Sequence, residues 1–249
     1  MKKFLILGGI VVGLGIVGVV VTSFFLGNIV TAGVNNFAPK LTQTKVVLAG
    51  ATISPFSGRG TLYGLVVANP KGWSDANLCA LGKIHVDLAP FSIFGDHIVI
   101  NEIVIEAPEF NYETKIIASN VKDLLKNIEQ VTGGKDQAGV PVAKNGKPIR
   151  FEVKHFFLQG GKVRLGVGPA AMTLPMATIE LNNLGTAEGG ISPDQLTLAV
   201  MKSITTGIVG ATAHAAGKIG TTTGAAAAEG VKQVGEGIKS LFGGDKKKP

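Results

Sequence analysis

The most extended apolar pattern in the chain lies at its N-terminus. Residues 4–26 read FLILGGIVVGLGIVGVVVTSFFL and contain no charged side chain. A helix of this length spans roughly 35 Å, which is enough to cross the ~30 Å hydrocarbon core of a bilayer. We therefore predict a transmembrane anchor over residues 1–27. A cleavable signal peptide is the alternative, but its apolar region is shorter, about 7–15 residues, and ends in a small-x-small cleavage site.

Two lysines, Lys2 and Lys3, precede this apolar stretch. Because cytoplasmic flanks are enriched in Lys and Arg, they favour a cytoplasmic N-terminus and place the bulk of the chain on the other side of the membrane. Residues 13–18 match the dinucleotide-binding pattern GxGxxG, but the first acidic residue is Asp75, far beyond the roughly 20 residues that this fingerprint requires. We read these glycines as small residues of the anchor and predict no cofactor.

After the anchor, apolar residues at 30, 34, 37 and 41 predict a short helix that is disturbed near Pro39. The period then changes to two, which is typical of strands. We predict strands at residues 46–53, 61–67, 84–88, 98–106, 108–112, 149–158, 163–167 and 173–181, with turns at 54–60 and 69–72. Short turns between consecutive strands favour an antiparallel meander over a βαβ arrangement.

Two further helices are predicted. Ser119 or Asn120 caps a helix at 121–130, and residues 131–148 form a Gly- and Lys-rich linker. The pair Ser192-Pro193 starts the second helix, in an Ala- and Gly-rich C-terminal segment that ends in a lysine tail. Its last apolar stripe either lies on an anionic membrane surface or docks on the sheet.

The resulting fold class is α+β: an N-terminal transmembrane helix, an antiparallel curved β-sheet (meander) with a short helix, and a helical C-terminal segment. We divide the chain into three parts. They are the anchor at 1–27, a β-rich domain at 28–190 with its linker at 131–148, and the C-terminal segment at 191–249.

Charge and cysteine content exclude several functions. Charged residues make up 16% of the chain, too few for a disordered protein of high net charge. The net charge is +7, but the two N-terminal lysines and the tail at 245–249 supply +4 of it, leaving +3 on all other residues. A nearly neutral body without a basic stripe excludes nucleic acid as a partner. One cysteine excludes a disulfide framework and a multi-cysteine zinc site.

The sequence contains no catalytic constellation. The histidines are His85, His97, His155 and His214, and none has metal-ligand spacing to another histidine or to Cys79. A P-loop, an HExxH motif and a GxSxG elbow are all missing from the sequence. We predict no catalytic, cofactor-binding or metal-binding residues, a buried structural thiol at position 79, and no enzymatic activity. A deep polar pocket gathering the first three histidines with carboxylates would reverse this prediction.

Several segments together resemble the AsmA-like family, in particular its short members with an N-terminal anchor. The segments are 39–42 (PKLT), 54–62 (SPFSGRGTL), 65–73 (LVVANPKGW), 103–108 (IVIEAP), 119–121 (SNV) and 160–163 (GGKV). The similarity covers roughly residues 1–200, and the order and spacing of the segments are more specific than any one of them.

This resemblance implies a location and a function. AsmA-like proteins are anchored in the bacterial inner membrane and carry β-rich periplasmic domains, and long members resemble bridge-like lipid-transfer proteins with an apolar groove. We therefore expect a single-pass inner-membrane protein with a cytoplasmic N-terminus and a periplasmic bulk. The implied role is envelope biogenesis or phospholipid handling, with membrane lipids contacting the anchor and phospholipid acyl chains lying on the sheet.

The length of the chain limits that role. About ten strands spaced ~4.8 Å apart span about 48 Å, too little to bridge an envelope, so transport would require self-association or an envelope-protein partner. The alternative is a non-catalytic anchored scaffold that recruits another envelope protein. Lipid handling predicts an apolar sheet face left uncovered by helices, whereas a scaffold predicts a filled core.

Overall fold

The computed structural model describes residues 25–115, 118–132, 141–143, 145–168 and 171–220. The helices are α1 (25–42), α2 (Asn120–Thr132) and α3 (Pro193–Gly220), with a 3-10 turn at Ser92–Phe94. The strands are β1 (Val46–Ile53), β2 (Arg59–Ala68), β3 (Asn77–Leu88), β4 (His97–Glu106), β5 (Glu109–Tyr112), β6 (Arg150–Gln159), β7 (Lys162–Leu165), β8 (Met172–Pro175) and β9 (Ile179–Leu184).

The nine strands form one mixed sheet. Strands β1, β2, β3 and β4 pair antiparallel in chain order, and β5 pairs with the start of β3 beside β4. Strand β6 then runs parallel to β4, and β7 runs parallel to β5. Strands β9 and β8 complete the sheet by pairing antiparallel with β6 and β7.

The predicted antiparallel meander is therefore wrong. It describes the first half of the sheet, but the chain crosses over between β5 and β6 through α2 and the segment after it. This crossover returns the chain to the end of the sheet where β4 begins, so β6 has the same direction as β4. Parallel neighbours need such a long connection, whereas the prediction favoured an antiparallel meander over a βαβ arrangement.

The predicted N-terminal transmembrane helix is not found among the residues that the structure describes. Among the described residues, the one helix long and apolar enough to cross a membrane, by length and composition alone, is Pro193–Ala215 of α3. It lies in the C-terminal part of the chain and is partly buried in the domain. The predicted anchor falls outside the described residues except at 25–27, and so does the C-terminal segment beyond 220.

Individual elements agree better with the sequence than their arrangement does. The predicted strand at 46–53 is β1, the predicted helix at 121–130 lies within α2, and α3 begins at Pro193 as predicted. Strand β3 starts seven residues earlier than the predicted segment at 84–88. The predicted strand at 173–181 is divided into β8 and β9. Residues 25–42 are helical through Pro39, so the disturbance predicted there is wrong.

Breaks in neighbouring strands lie side by side across the sheet. Ala107, with φ of 48°, separates β4 from β5, and Gly160, with φ of 65°, separates β6 from β7. Backbone hydrogen bonds join the two breaks: Ala107 N donates to Gln159 O at 2.8 Å, and Lys162 N donates to Pro108 O at 2.9 Å. The paired breaks keep the two halves of each strand in register with their neighbours.

The three helices and one face of the sheet enclose a single hydrophobic core. Each helix contributes buried side chains, such as Leu41 from α1, Val121 from α2 and Ile208 from α3. The strands contribute alternate residues, including Ile53 and Leu158. Because all of these belong to one cluster, the described helices lie on the same side of the sheet.

Helix α1 covers the free edge of β1. The Asn35 side chain makes two hydrogen bonds to the strand backbone: its Nδ2 donates to Leu48 O at 3.1 Å, and Leu48 N donates to its Oδ1 at 2.6 Å. The helix approaches so closely at Gly27 that a Cβ atom there would lie 1.9 Å from Ala51 O. An edge satisfied in this way cannot accept another strand.

Candidate functional site

The side of the sheet opposite the described helices, called here the outer face, carries two rows of mostly polar side chains. Cross-strand neighbours lie on the same face, so the strand register defines each row. One row contains Thr52, Thr61, His85, Val104, Phe157 and Glu180, and the next contains Arg59, Asp87, Glu102, His155 and Asn182.

An open groove of about 450 Å³ lies where these rows cross β1 to β4. We call it the outer-face groove; its polar lining comprises Thr52, Ser54, Arg59, Thr61, His85, Asp87 and Glu102. Arg59 Nε lies 3.9 Å from Asp87 Oδ2, and Asp87 Oδ1 accepts a hydrogen bond from Asn101 Nδ2 at 3.1 Å. The groove therefore presents both charge signs and hydroxyl groups to solvent.

His155 links two carboxylates next to this groove. Its Nδ1 lies 3.0 Å from Glu102 Oε1, and its Nε2 lies 3.3 Å from Glu180 Oε1. Because the two ring nitrogens point in different directions, the imidazole joins β4 to β9 through β6 rather than converging with the carboxylates on one point. The arrangement fixes an imidazole and two carboxylates on the outer face without forming an enclosed site.

Tyr63 adds a hydrogen-bonding group beside the groove. Its hydroxyl lies 3.5 Å from Thr52 Oγ1. Hydrogen bonds from Thr52, and then from Thr61, lower the pKa of the Tyr63 phenol below its ordinary value, and the charge of Lys83 acts in the same direction. The phenol remains exposed to solvent, so it is not a shielded acid or base.

The histidines do not assemble a catalytic pocket. His85 and His155 share the outer face with Glu102, but His97 pairs separately with Glu152, its Nε2 lying 3.4 Å from Oε2. Within the described part of the chain, no group of three or more His, Cys, Asp or Glu residues could hold a metal ion.

Cys79 is buried, as the sequence predicts. Burial raises the pKa of its thiol to about 12, which keeps it protonated and poorly nucleophilic at neutral pH.

A second polar cluster, the buried node, joins three elements at the opposite end of β3 from the groove. It consists of Asn69, Ser74, Glu113 and Asn120. Asn120 Nδ2 donates to Asn69 Oδ1 at 2.8 Å, and Asn120 Oδ1 accepts from the Glu113 backbone N at 3.0 Å. The Glu113 carboxylate accepts from Asn69 Nδ2 at 2.8 Å and from the Ser74 hydroxyl and backbone N. The node ties the turn after β2 to the end of β5 and the start of α2.

The surrounding residues extend the node to the surface. Trp73 Nε1 donates to Asp123 Oδ2 at 2.8 Å, which fixes the indole against the first turn of α2. Lys115 Nζ donates to Gly72 O at 2.7 Å and lies 4.6 Å from the centroid of the Trp73 ring. A cation in this position is attracted to the ring face. These contacts hold the turn at Gly72 and Trp73 against Lys115 and the first turn of α2.

The node contains residues of two segments that carry the AsmA-like resemblance, 65–73 and 119–121. The sequence also predicts Ser119 as one of two candidate caps of α2. In the structure, Ser119 Oγ accepts a hydrogen bond from Lys122 N at 3.3 Å. The sequence analysis did not single out Glu113. A lone acidic residue after a strand is usually an exposed carboxylate, but this one is buried. The pairing of His155 with Glu102 was missed because it depends on the unpredicted crossover that places β6 parallel to β4.

No protein-family model, curated protein or solved structure matches the chain.

Proposed function

We propose that this chain is a non-catalytic scaffold of the cell envelope, held at the bacterial inner membrane, that recruits another protein through the outer-face groove. The observation that carries the proposal is the contrast between the two faces of the sheet. The apolar face is filled by three helices, and the open face carries mostly polar side chains.

The filled core speaks against a groove for acyl chains in the described domain. Val121 of α2, Val153 of β6 and Ile208 of α3 are fully buried, so the helices cover the apolar face at these positions. On the outer face, hydrocarbon would have to cover the carboxylates of Glu102 and Glu180, and the desolvation of an ionised carboxylate is costly. A protein surface with complementary charges and hydrogen-bonding groups suits this face better.

The membrane location is supported by the sequence. The uncharged residues 4–26 precede the described domain, and Lys2 and Lys3 favour a cytoplasmic start. Together with the AsmA-like resemblance, these features support single-pass attachment to the inner membrane with the sheet in the periplasm. Self-association is a further proposal, since the sheet alone is too short to bridge an envelope.

Site-specific photo-crosslinking in cells tests the recruitment. A photoreactive benzoylphenylalanine placed at position 85, which is exposed in the groove, should form a protein adduct. The same group at position 126, exposed on α2, is the control and should form none. The adduct should disappear with Glu102→Lys, which reverses one charge of the groove. Equal adducts from both positions, or an adduct insensitive to Glu102→Lys, would contradict recruitment through this face.

Phospholipid handling is the second candidate, and the observation that favours it is a set of exposed apolar side chains at one end of the sheet, including Phe56 and Phe91. Native mass spectrometry of the full chain extracted in detergent distinguishes the two functions. A scaffold should release all phospholipid on collisional activation, whereas a lipid-handling module should retain it in a fixed ratio to the protein.

A further inference from the structure

Three exposed aromatic side chains lie on two neighbouring loops at the end of the sheet where β1 meets β2. Phe56 belongs to the turn between these strands, and Phe91 and Phe94 belong to the loop between β3 and β4; they are 56%, 59% and 58% exposed. The Phe56 and Phe91 rings contact edge to face, with centroids 6.1 Å apart. We call these three residues the aromatic tip. Clustered apolar side chains of this kind mark an interaction surface, unlike apolar residues scattered singly.

The backbone presents the tip in a fixed arrangement. Leu88 N donates to Gly58 O at 2.9 Å, which joins the two loops. Gly58 has a φ of 74°, and a Cβ atom there would lie 1.8 Å from Leu88 O. Only glycine at position 58 therefore lets the two loops pack this closely. Phe91 has a φ of 66°, an unusual conformation for a bulky residue. Such strained backbone is found mainly at functional positions, because the surrounding structure must maintain it.

The apolar N-terminal segment of the chain reaches the domain at this same end. Gly27 of α1 packs against Ala51, two residues before β1 ends and the turn bearing Phe56 begins. Phe25 and Ile29, on the first described turns of α1, are exposed. The residues that precede them, 4–24, are uncharged and apolar. The chain outside the described residues therefore ends beside the aromatic tip.

We propose that the aromatic tip inserts into the interfacial layer of the phospholipid bilayer to which the N-terminal residues attach the chain. This inference rests on the membrane attachment in the proposed function. Aromatic rings favour the boundary between headgroups and acyl chains, and apolar side chains gain by burial there. Arg59, next to the tip and 83% exposed, lies where it can approach lipid phosphates.

Insertion of the tip orients the whole domain. Strand β3 runs from the buried node to the tip through twelve residues, which at ~3.3 Å per residue separates the two ends by about 40 Å. Trp73 and the node then face away from the membrane, and the outer-face groove lies between them and the bilayer. The tip is thus a second, shallow membrane contact that fixes the tilt of the domain.

Two matched cysteine variants test the insertion. Phe94→Cys places a thiol in the tip, and Val167→Cys places one at the opposite end, where Gly166 N donates to Tyr112 O; the two native side chains are 58% and 62% exposed. The native Cys79 is buried and stays unlabelled. The full chain, labelled with an environment-sensitive fluorophore, is reconstituted in vesicles of phosphatidylcholine and phosphatidylglycerol. Lipids carrying a doxyl quencher near the headgroup should quench the label at 94 and leave the label at 167 unchanged.

The controls separate this inference from the proposed function. If the chain floats with the vesicles but iodide in the water quenches both labels equally, the insertion is wrong and the membrane attachment stands. If the label at 94 is shielded from both quenchers, another protein surface covers the tip, which also overturns the inference. A chain that does not float contradicts the attachment itself. Adding Phe56→Ser and Phe91→Ser to the Phe94→Cys chain should abolish lipid quenching, with an unchanged Trp73 emission spectrum as the check on folding.

Discussion

At the scale of single residues, the Asn120 side chain forms more hydrogen bonds than any other buried polar side chain described above. It is completely buried, and its amide forms hydrogen bonds with Asn69, Asn111, Glu113 and its own neighbour in α2. Each buried group left without its partner costs about 1–3 kcal/mol, so the contribution of this side chain far exceeds that of an exposed amide. The node therefore depends on one asparagine.

Replacing Asn120 by alanine should lower the free energy of unfolding by about 3 kcal/mol or more, because several buried partners would lose their hydrogen bonds. Asn127→Ala in the same helix is the matched control; it removes one bond, from Nδ2 to Thr42 O, and should cost about 1 kcal/mol. Urea titration followed by Trp73 fluorescence measures both. Similar losses in the two variants would show that the node does not have this role.

Because Cys79 is buried, we expect the free energy of unfolding to depend on pH in the alkaline range. Burial raises the pKa of its thiol from 9.0 to about 12, so between these values the unfolded chain releases a proton that the folded chain retains. The stabilisation is present below pH 9 and is lost as the pH rises towards 12. Because burial also raises the pKa of Tyr112, the measurement is the difference between the native chain and Cys79→Ala. The variant should show a shallower decline in its urea midpoint; identical declines would refute the assignment.

At the scale of elements, the packing of α1 against the edge of β1 depends on a glycine. A Cβ at Gly27 would overlap Ala51 O, whereas a Cβ at Gly33 in the same helix meets nothing within 4 Å. Gly27→Ala should lower the free energy of unfolding by about 2 kcal/mol or more through this overlap. Gly33→Ala should raise it by up to about 1 kcal/mol through helix propensity. Thermal unfolding of both variants in detergent measures the pair, and equal shifts would mean that α1 does not pack on β1 as described.

The sequence predicts local elements well because their signals are local. The alternating residues of β1, the apolar stripe of α2 and the Ser192-Pro193 start of α3 each depend on neighbours a few positions away, and all three are confirmed. The parallel pairing of β4 with β6 depends on where α2 packs, and no period in the sequence encodes that choice. The strand break before β9 was missed for a different reason, since Pro175, which ends β8, is a local strand-breaking signal that the prediction of one strand over 173–181 passed over.

The candidate site divides in the same way. The segments around Asn69 and Asn120 stood out in the sequence, and the turn and cap chemistry that made them visible is what builds the node. The outer-face groove could not be predicted, because its members come from four strands and meet only through the register of the sheet. His155 and Glu102 are 53 residues apart and become neighbours through the parallel pair of β4 and β6.

At the scale of the whole molecule, the two edges of the sheet differ: β1 forms one edge, and β8 and β9 form the other. The β1 side is closed by α1 and the Asn35 hydrogen bonds. On the other side, β8 and β9 pair with β7 and β6 alone among the described strands. Any association that extends the sheet must therefore use the β8–β9 side.

Self-association of the native chain through its sheet should accordingly stop at a dimer, which native mass spectrometry of the detergent-extracted protein measures. Replacing Asn35 by alanine should expose the backbone of Leu48 and permit larger species; Asn36→Ala, one position along the same helix and exposed, should not. Larger assemblies of the native chain that persist after a proline is placed in β9 would contradict this.

In the terms of polymer chemistry, the asparagine that closes β1 gives the domain a valence of one. A unit with one reactive end terminates a growing chain and cannot propagate it, whatever its concentration. If longer assemblies of such sheets form in an envelope, this protein can only be their end group, and the ratio of end groups to two-ended units would set their average length.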